Sequence, residues 1–411
     1  MSRKIELMAP AGNFAALTAA GKAGADSVYF GVEQLNMRAR ATMNFTVDDL
    51  DKVVELCKEY DMRSYITLNT IIYDHDLSLA KKIIETAKNA GITAIIAADQ
   101  AVIGYAHSIG FEVHISTQAN ITNVETVKFY SLFSDTMVLS RELSMKQMKN
   151  ICDTIEREQI KGPNGNLVEI EVFAHGALCV AVSGKCYMSL HTHNASANRG
   201  ACIQNCRRAY TVIDKETGYE LEVDNEYIMS PKDLCTVDFL DSLIETGVTV
   251  LKVEGRGKAP EYVKTVIETY RAAIDAVQDG TYSQEKIEGY MEQLSSVYNR
   301  GFWGGYYLGQ KLGEFSSEPG SLASQKKVYI GKGMHYYPKV KVGEFKMDSH
   351  SLKKGDKILI IGPTTGVVEH VVEGMRKDDK EVEEVRKGDE FTISIDETIR
   401  SSDRLYKMVE A

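Results

Sequence analysis

The chain has 411 residues, 44% hydrophobic and 26% charged, with a formal net charge of −10. That balance suits a soluble globular protein of two or three domains at ~150 residues each, or one α/β barrel of about 200–250 residues with an appendage. An acidic body argues against nucleic-acid binding over the whole surface. No apolar run approaches the ~20 residues of a membrane span, and the opening Met1-Ser2-Arg3-Lys4 lacks a signal-peptide core, so a cytoplasmic chain without membrane contact is expected.

Short β-branched runs alternate with helical periodicity from the start. Strands are predicted near Ile5–Ala9, Ser27–Gly31, Ser64–Asn69, Ala94–Ala98, Glu112–Ser116, Thr136–Leu139, Val168–Phe173 and Val248–Glu254. Amphipathic helices are predicted over Phe14–Lys22, Val47–Glu59, Leu77–Ala90, Gln100–Ile109, Val124–Tyr130 and Met145–Glu156. Eight strands in βα alternation predict a closed (β/α)8, TIM-like barrel over residues 1–300. A doubly wound sheet is the weaker alternative, because Ala9-Pro10-Ala11-Gly12-Asn13 after the first strand is no glycine-rich phosphate turn.

More than 70 residues separate the seventh and eighth predicted strands, far beyond an ordinary βα loop, and long loops of this kind are usually functional. This insertion, residues 174–240, holds five of the seven cysteines and a predicted hairpin, Tyr210–Asp214 with Glu220–Val223. Helices over Pro260–Asp279 and Gln284–Val297 follow, then a linker, 301–325. From Lys326 the pattern alternates, with strands expected at Lys327–Tyr329, Tyr337–Val342, Lys357–Ile361, Val367–Glu373 and Glu390–Ile395, which predicts a small all-β barrel over 326–411. That segment carries 17 basic and 16 acidic residues, leaving 31 against 42 in the rest, so it is the more permissive partner for an anionic polymer.

Cys179, Cys186, Cys202 and Cys206 fall within 28 residues, with Cys235 shortly after. Clustered thiolates repel unless a cation lies between them, so a metal site is favoured over disulfides and over inert buried thiols. Structural zinc prefers two close pairs, and only Cys202–Cys206 is one. Unequal spacing suits an iron–sulfur cluster better, because its thiolates need only reach the corners of a larger body. Gly176, Gly184 and Gly200 permit close backbone packing around it.

Several of these stretches resemble peptidase family U32, the collagenase-like family. They are Glu171-Val172-Phe173-Ala174-His175-Gly176-Ala177-Leu178-Cys179, Gly184-Lys185-Cys186, Asn198-Arg199-Gly200-Ala201-Cys202, Ser230-Pro231-Lys232-Asp233-Leu234-Cys235, Lys252-Val253-Glu254-Gly255-Arg256 and Asn299-Arg300-Gly301-Phe302. The resemblance covers essentially the whole chain. It implies a [4Fe–4S] cluster on four cysteines, with Cys206 and Cys235 competing for the fourth position. It also implies RNA hydroxylation, most closely the branch that makes 5-hydroxyuridine at a tRNA wobble position, with a prephenate-derived small molecule and an unidentified electron donor. rRNA cytidine hydroxylation and proteolysis are the alternatives, and an oligomer is compatible with the family.

At the predicted strand ends lie Asn69, Gln118, Arg141, Glu142, Glu254 and Arg256, where a barrel presents its mouth. Arg141 and Arg256 suit a carboxylate or phosphate, against a structural ion pair with Glu142 or Glu254. Glu171 and His175 are further catalytic candidates, weighed against a core ion pair and a plain hydrogen-bonded histidine. His191 and His193 read as solvated loop residues. Arg199, Arg207 and Arg208 form the one basic knot in the insertion and are candidate RNA contacts. Trp303, Tyr336 and Tyr337 offer stacking surfaces, against ordinary packing. A protease would need Cys179 activated by His175. A non-catalytic RNA-binding module resting on the terminal barrel is the remaining reading.

Overall fold

The computed structural model describes residues 4–39, 44–211, 213, 215–218, 227–318 and 320–411. Seven parallel strands, β1 (Glu6–Pro10), β2 (Ser27–Phe30), β3 (Arg63–Leu68), β4 (Ala94–Ala97), β5 (Glu112–Ile115), β6 (Thr136–Val138) and β7 (Glu169–Ala177), follow in spatial as well as chain order. β9 (Val250–Val253) pairs in parallel with both β7 and β1 and closes the ring. The TIM-like barrel is therefore observed.

Local chemistry sets the helices between the strands. Asn13 caps α1 (Phe14–Lys22) by accepting the Ala16 amide at 2.9 Å. Gly91, at φ 89°, ends α3 (Leu77–Ala90) in the left-handed conformation that favours glycine. Ser144 and Gln147 form a capping box on α6 (Met145–Glu158), and Pro260 opens α9 (Pro260–Gln278). With α2 (Leu50–Glu59), α4 (Gln100–Ser108), α5 (Val124–Tyr130) and α8 (Leu240–Glu245), these helices lay apolar faces on the barrel in one continuous core.

Two features depart from expectation, and a third prediction is not described. β7 runs nine residues, and its second half leaves the ring to pair antiparallel with β8 (Asp233–Cys235), which in turn pairs with β10 (Phe302–Trp303). Such short strands give no periodicity to read. The expected strand Tyr337–Val342 is instead a turn, with Lys341 at φ 53°, joining β11 (Gln325–Tyr337) to β12 (Val342–Met347). The hairpin around Lys215–Gly218 falls largely outside the described residues.

Residues 325–411 form an antiparallel all-β unit around its own apolar core of Ile330, Phe345, Ile360, Phe391 and Leu405. Its hairpin β14 (Lys357–Gly362) with β15 (Gly366–Val371) lies on α1. There Leu359, Ile361 and Val367 meet Ala19, and the Thr18 hydroxyl donates to the Pro363 carbonyl at 2.8 Å. Lys327 Nζ reaches Glu261 on α9 at 2.8 Å.

Inside the barrel, Lys252 Nζ lies 2.8 Å from Glu171 Oε1, with the two side chains 5% and 0% exposed. Breaking one side of so buried a pair leaves a bare charge, whereas removing both costs little. Lys252→Met alone should lower stability by about 3–5 kcal/mol in urea denaturation. The double variant Lys252→Met/Glu171→Leu should regain most of that loss.

His175 lies on the far half of β7, boxed in by Tyr262, Tyr270 and Phe302. Burial, helped by the charge of Lys258, pushes its pKa down to about 3. An unfolded imidazole takes a proton near ~6.5, so the unfolded chain binds more protons between those values. His175 should therefore cost the fold nothing above pH ~6.5 and up to roughly 1.4 kcal/mol per pH unit as pH falls towards 3. Stability measured against pH should lose part of its acid slope in His175→Gln.

Candidate functional site

The loops after the barrel strands and the cysteine-bearing insertion enclose a cavity of about 810 Å3. Between the end of β7 and β8, the described residues of the insertion form one six-residue helix, α7 (Met188–His193), and two short 3-10 turns. Tethers to the barrel loops give it its shape. The Arg199 guanidinium donates to the Ile71 carbonyl at 2.7 Å and to Asp76 at 2.5 Å, beyond β3. Asn120, beyond β5, donates to the Ser183 carbonyl at 3.2 Å, and Arg141, beyond β6, to the Ser183 hydroxyl at 2.9 Å. Within the insertion itself, Arg207 donates to the oxygens of Leu178, Pro231 and Ser230 at 2.6–3.0 Å. Gly200, at φ 84°, rests so close on the Asn36 carbonyl that a side chain there would clash.

This seating brings four of the five candidate cysteines to the cavity wall: Cys179, Cys186, Cys202 and Cys206. All four are free thiols; Cys179 is exposed and the others half-buried. Burial raises the Cys206 thiol, Arg207 opposes that, and the charges of Cys179, Cys202 and Cys186 raise it further, so the four sulfurs share one electrostatic neighbourhood. Among the described residues no three His, Cys, Asp or Glu groups converge closely enough to hold a single ion. Four thiols lining one cavity are a donor set of the kind that would hold an iron–sulfur cluster. Cys235 is elsewhere. It is buried on β8 between Tyr270 (3.9 Å) and Met291 (3.8 Å), and burial pushes its thiol up to about 12. Of the two thiols left open as a fourth partner, Cys206 lines the cavity and Cys235 does not.

The cavity that the thiols line is strongly cationic. Among the described residues nine Arg and Lys side chains line it against two Glu, in a chain of net charge −10. Arg256, 5% exposed, donates to Asn36 at 3.1 Å and Thr67 at 2.8 Å, while its buried Nε has no partner. Arg141 donates to the Ala177 carbonyl at 3.3 Å, and no carboxylate pairs with it among the described residues. Glu254 accepts from Arg38 at 3.1 Å and from the Tyr29 hydroxyl at 2.9 Å. Burial works to raise its pKa, yet Arg38 and Arg256 outweigh that and hold the carboxyl below its usual range. Lys326 and Lys327, from β11, complete the rim, so the all-β unit forms part of the wall.

Several predicted site residues have other duties. His175 does not line the cavity; its Nδ1 faces the Tyr270 hydroxyl at 3.4 Å, so the proton-carrying role expected of it is corrected to packing. Glu171 is spent on Lys252, as the core-pair alternative had it. Arg199 and Arg207 hold the insertion and are not free to grip phosphate, whereas Arg208 is exposed. Trp303 is buried, donating to the Lys232 carbonyl at 3.1 Å, and Tyr336 donates to the Ile395 and Asp396 carbonyls. Sequence reasoning missed Arg38, Lys252, Lys258 and Arg300 as cavity residues. For Lys252 the signal was present, since an inward lysine two residues before Glu254 on a barrel strand faces the same interior.

Comparison with known proteins places these features in context. The model of peptidase family U32 matches residues 12–316. A Porphyromonas gingivalis protein named collagenase is 54% identical over 402 residues, spanning 98% of this chain and 97% of its own. A Bacillus subtilis protein named tRNA hydroxylation protein P1 is 30% identical over 394 residues, 92% of this chain and 88% of its own. An Escherichia coli protein named as a 23S rRNA 5-hydroxycytidine synthase is 35% identical over 280 residues, 67% of this chain but 40% of its own. With three quarters of the chain matched by the family model and a relative sharing more than half its residues end to end, the chain belongs to peptidase family U32.

Proposed function

We propose that this protein is an RNA hydroxylase that converts C5–H of a tRNA wobble uridine to C5–OH, with a [4Fe–4S] cluster on Cys179, Cys186, Cys202 and Cys206. The observation that carries the reading is the pairing of four cavity thiols with a cationic wall in an otherwise acidic chain. Polyanionic RNA is drawn to such a wall, and the acidic remainder of the surface repels it elsewhere. The Bacillus subtilis relative, named for tRNA hydroxylation, spans nearly the whole chain and supports tRNA over rRNA.

When bound, the cluster would supply one-electron chemistry; the hydroxylation takes two electrons from the base and adds one oxygen atom, so it needs an oxygen-atom donor as co-substrate, with an external electron donor where that co-substrate must first be reduced. The chain's own residues do the rest. Arg141 and Arg256, both lining the cavity, offer guanidinium groups to a small carboxylate, for which a prephenate-derived molecule is our candidate. Glu254 is kept ionised and ties Tyr29 and Arg38 in place. Arg208 and the β11 lysines Lys326 and Lys327 lie further out, where RNA phosphates would approach.

The collagenase name of the Porphyromonas relative favours proteolysis as the second reading. It needs a base within reach of Cys179, and His175 faces Tyr270 instead.

Two measurements test the proposal. tRNA from a strain lacking the gene, digested to nucleosides, should lose 5-hydroxyuridine derivatives; an unchanged profile with no second copy of the gene would overturn it. Anaerobically purified Cys206→Ser should lose most of its iron and sulfide, while Cys235→Ser keeps the wild-type content.

A further inference from the structure

Lys258 is the cavity lysine that the reading above leaves idle. It follows β9 in the loop to α9, the position from which barrel loops reach the mouth. Its Nζ lies 2.9 Å from the centroid of the Tyr298 ring and 5.9 Å from that of Tyr262. No carboxylate pairs with it among the described residues. The two acids in its field, Asp233 and Glu254, are taken by Arg300 at 3.4 Å and Arg38 at 3.1 Å. The remaining charged neighbours are those same two guanidiniums, and His175 behind it stays neutral.

An amine meant to anchor a phosphate would be solvated or salt-bridged. This one is desolvated against aromatic rings and set beside other cations, the two conditions that activate a lysine as a nucleophile. Burial first, and then Arg300, bring its pKa down to about 7, so neutral and charged forms coexist at neutral pH. A neutral amine ringed by guanidiniums suits a ligand with a carbonyl next to an anionic group. The carbonyl meets the amine and the carboxylate meets the cations.

We propose that Lys258 captures an oxo acid as an imine within the cavity. Nζ adds to the carbonyl carbon, the carbonyl oxygen leaves as water after proton transfer, and a C=N bond replaces the C=O bond with no net oxidation. The proposal deepens the small-molecule part of the function above and rests on that reading for its biological setting, but its chemistry can be tested without RNA.

Purified full-length protein is incubated with pyruvate, and separately with phenylpyruvate, in the presence of cyanoborohydride, then digested and mapped by mass spectrometry. One dominant reduced adduct at Lys258 is expected, at least tenfold above any surface lysine. It should saturate with oxo acid and fall with a midpoint near pH 7 as the medium is acidified. Lys258→Arg keeps the charge and should fold, as read by its melting curve, but lose the adduct; Lys326→Arg should retain it. Adducts spread evenly over surface lysines, or none at Lys258 in folded protein, would overturn the proposal. An adduct at Lys258 in a protein whose loss leaves tRNA unchanged would uphold the amine site while the hydroxylase reading fails. Loss of tRNA hydroxylation in Lys258→Arg with no adduct in the wild type would sink the imine and leave the hydroxylase intact.

Discussion

One buried and one half-buried carboxylate hold together a barrel mouth otherwise filled with positive charge. Glu171 neutralises Lys252 deep in the ring, and Glu254 ties Arg38 with Tyr29 beside Arg256. Without them the cations would be driven apart or out into water, since isolated buried charges are costly. With them, a chain that is acidic overall maintains a strongly basic chamber. The insertion then depends on that chamber's rim, because its Arg199 reaches back to the Ile71 carbonyl and to Asp76 in the loop beyond β3.

The barrel was legible in the sequence because its signals are repeated and local. Alternating apolar runs and helical periods recur, and helices such as Phe14–Lys22, Leu77–Ala90 and Val124–Tyr130 match their predicted ends. β8 and β10 were not legible, being three and two residues long and existing only because the end of β7 offers them an edge. In the all-β unit the turn over 338–341 reads as part of a strand, since Val340 and Val342 alternate with Lys339 and Lys341 as a strand would.

The site was half legible. Cysteine spacing marked the insertion, but spacing could not separate Cys206 from Cys235. That separation needed the fold, where the second lies on a strand packed beneath Tyr270. Arginines were read as anion grips on sequence alone, yet a guanidinium serves a carbonyl as readily as a phosphate. Arg199 and Arg207 serve carbonyls. Arg38 and Lys258 carry no motif and become visible only when distant loops meet around one cavity.

β7 has a consequence for how such a site can change. The strand runs unbroken from the ring at Glu169 to Ala177, two residues short of Cys179. Only Leu178 separates the stave from the first thiol. A single-residue slip of that stave would carry Cys179 about 3.3 Å and turn alternate side chains to the opposite face. The cap is therefore not a detachable graft: moving it to another barrel would require moving the seventh stave with it.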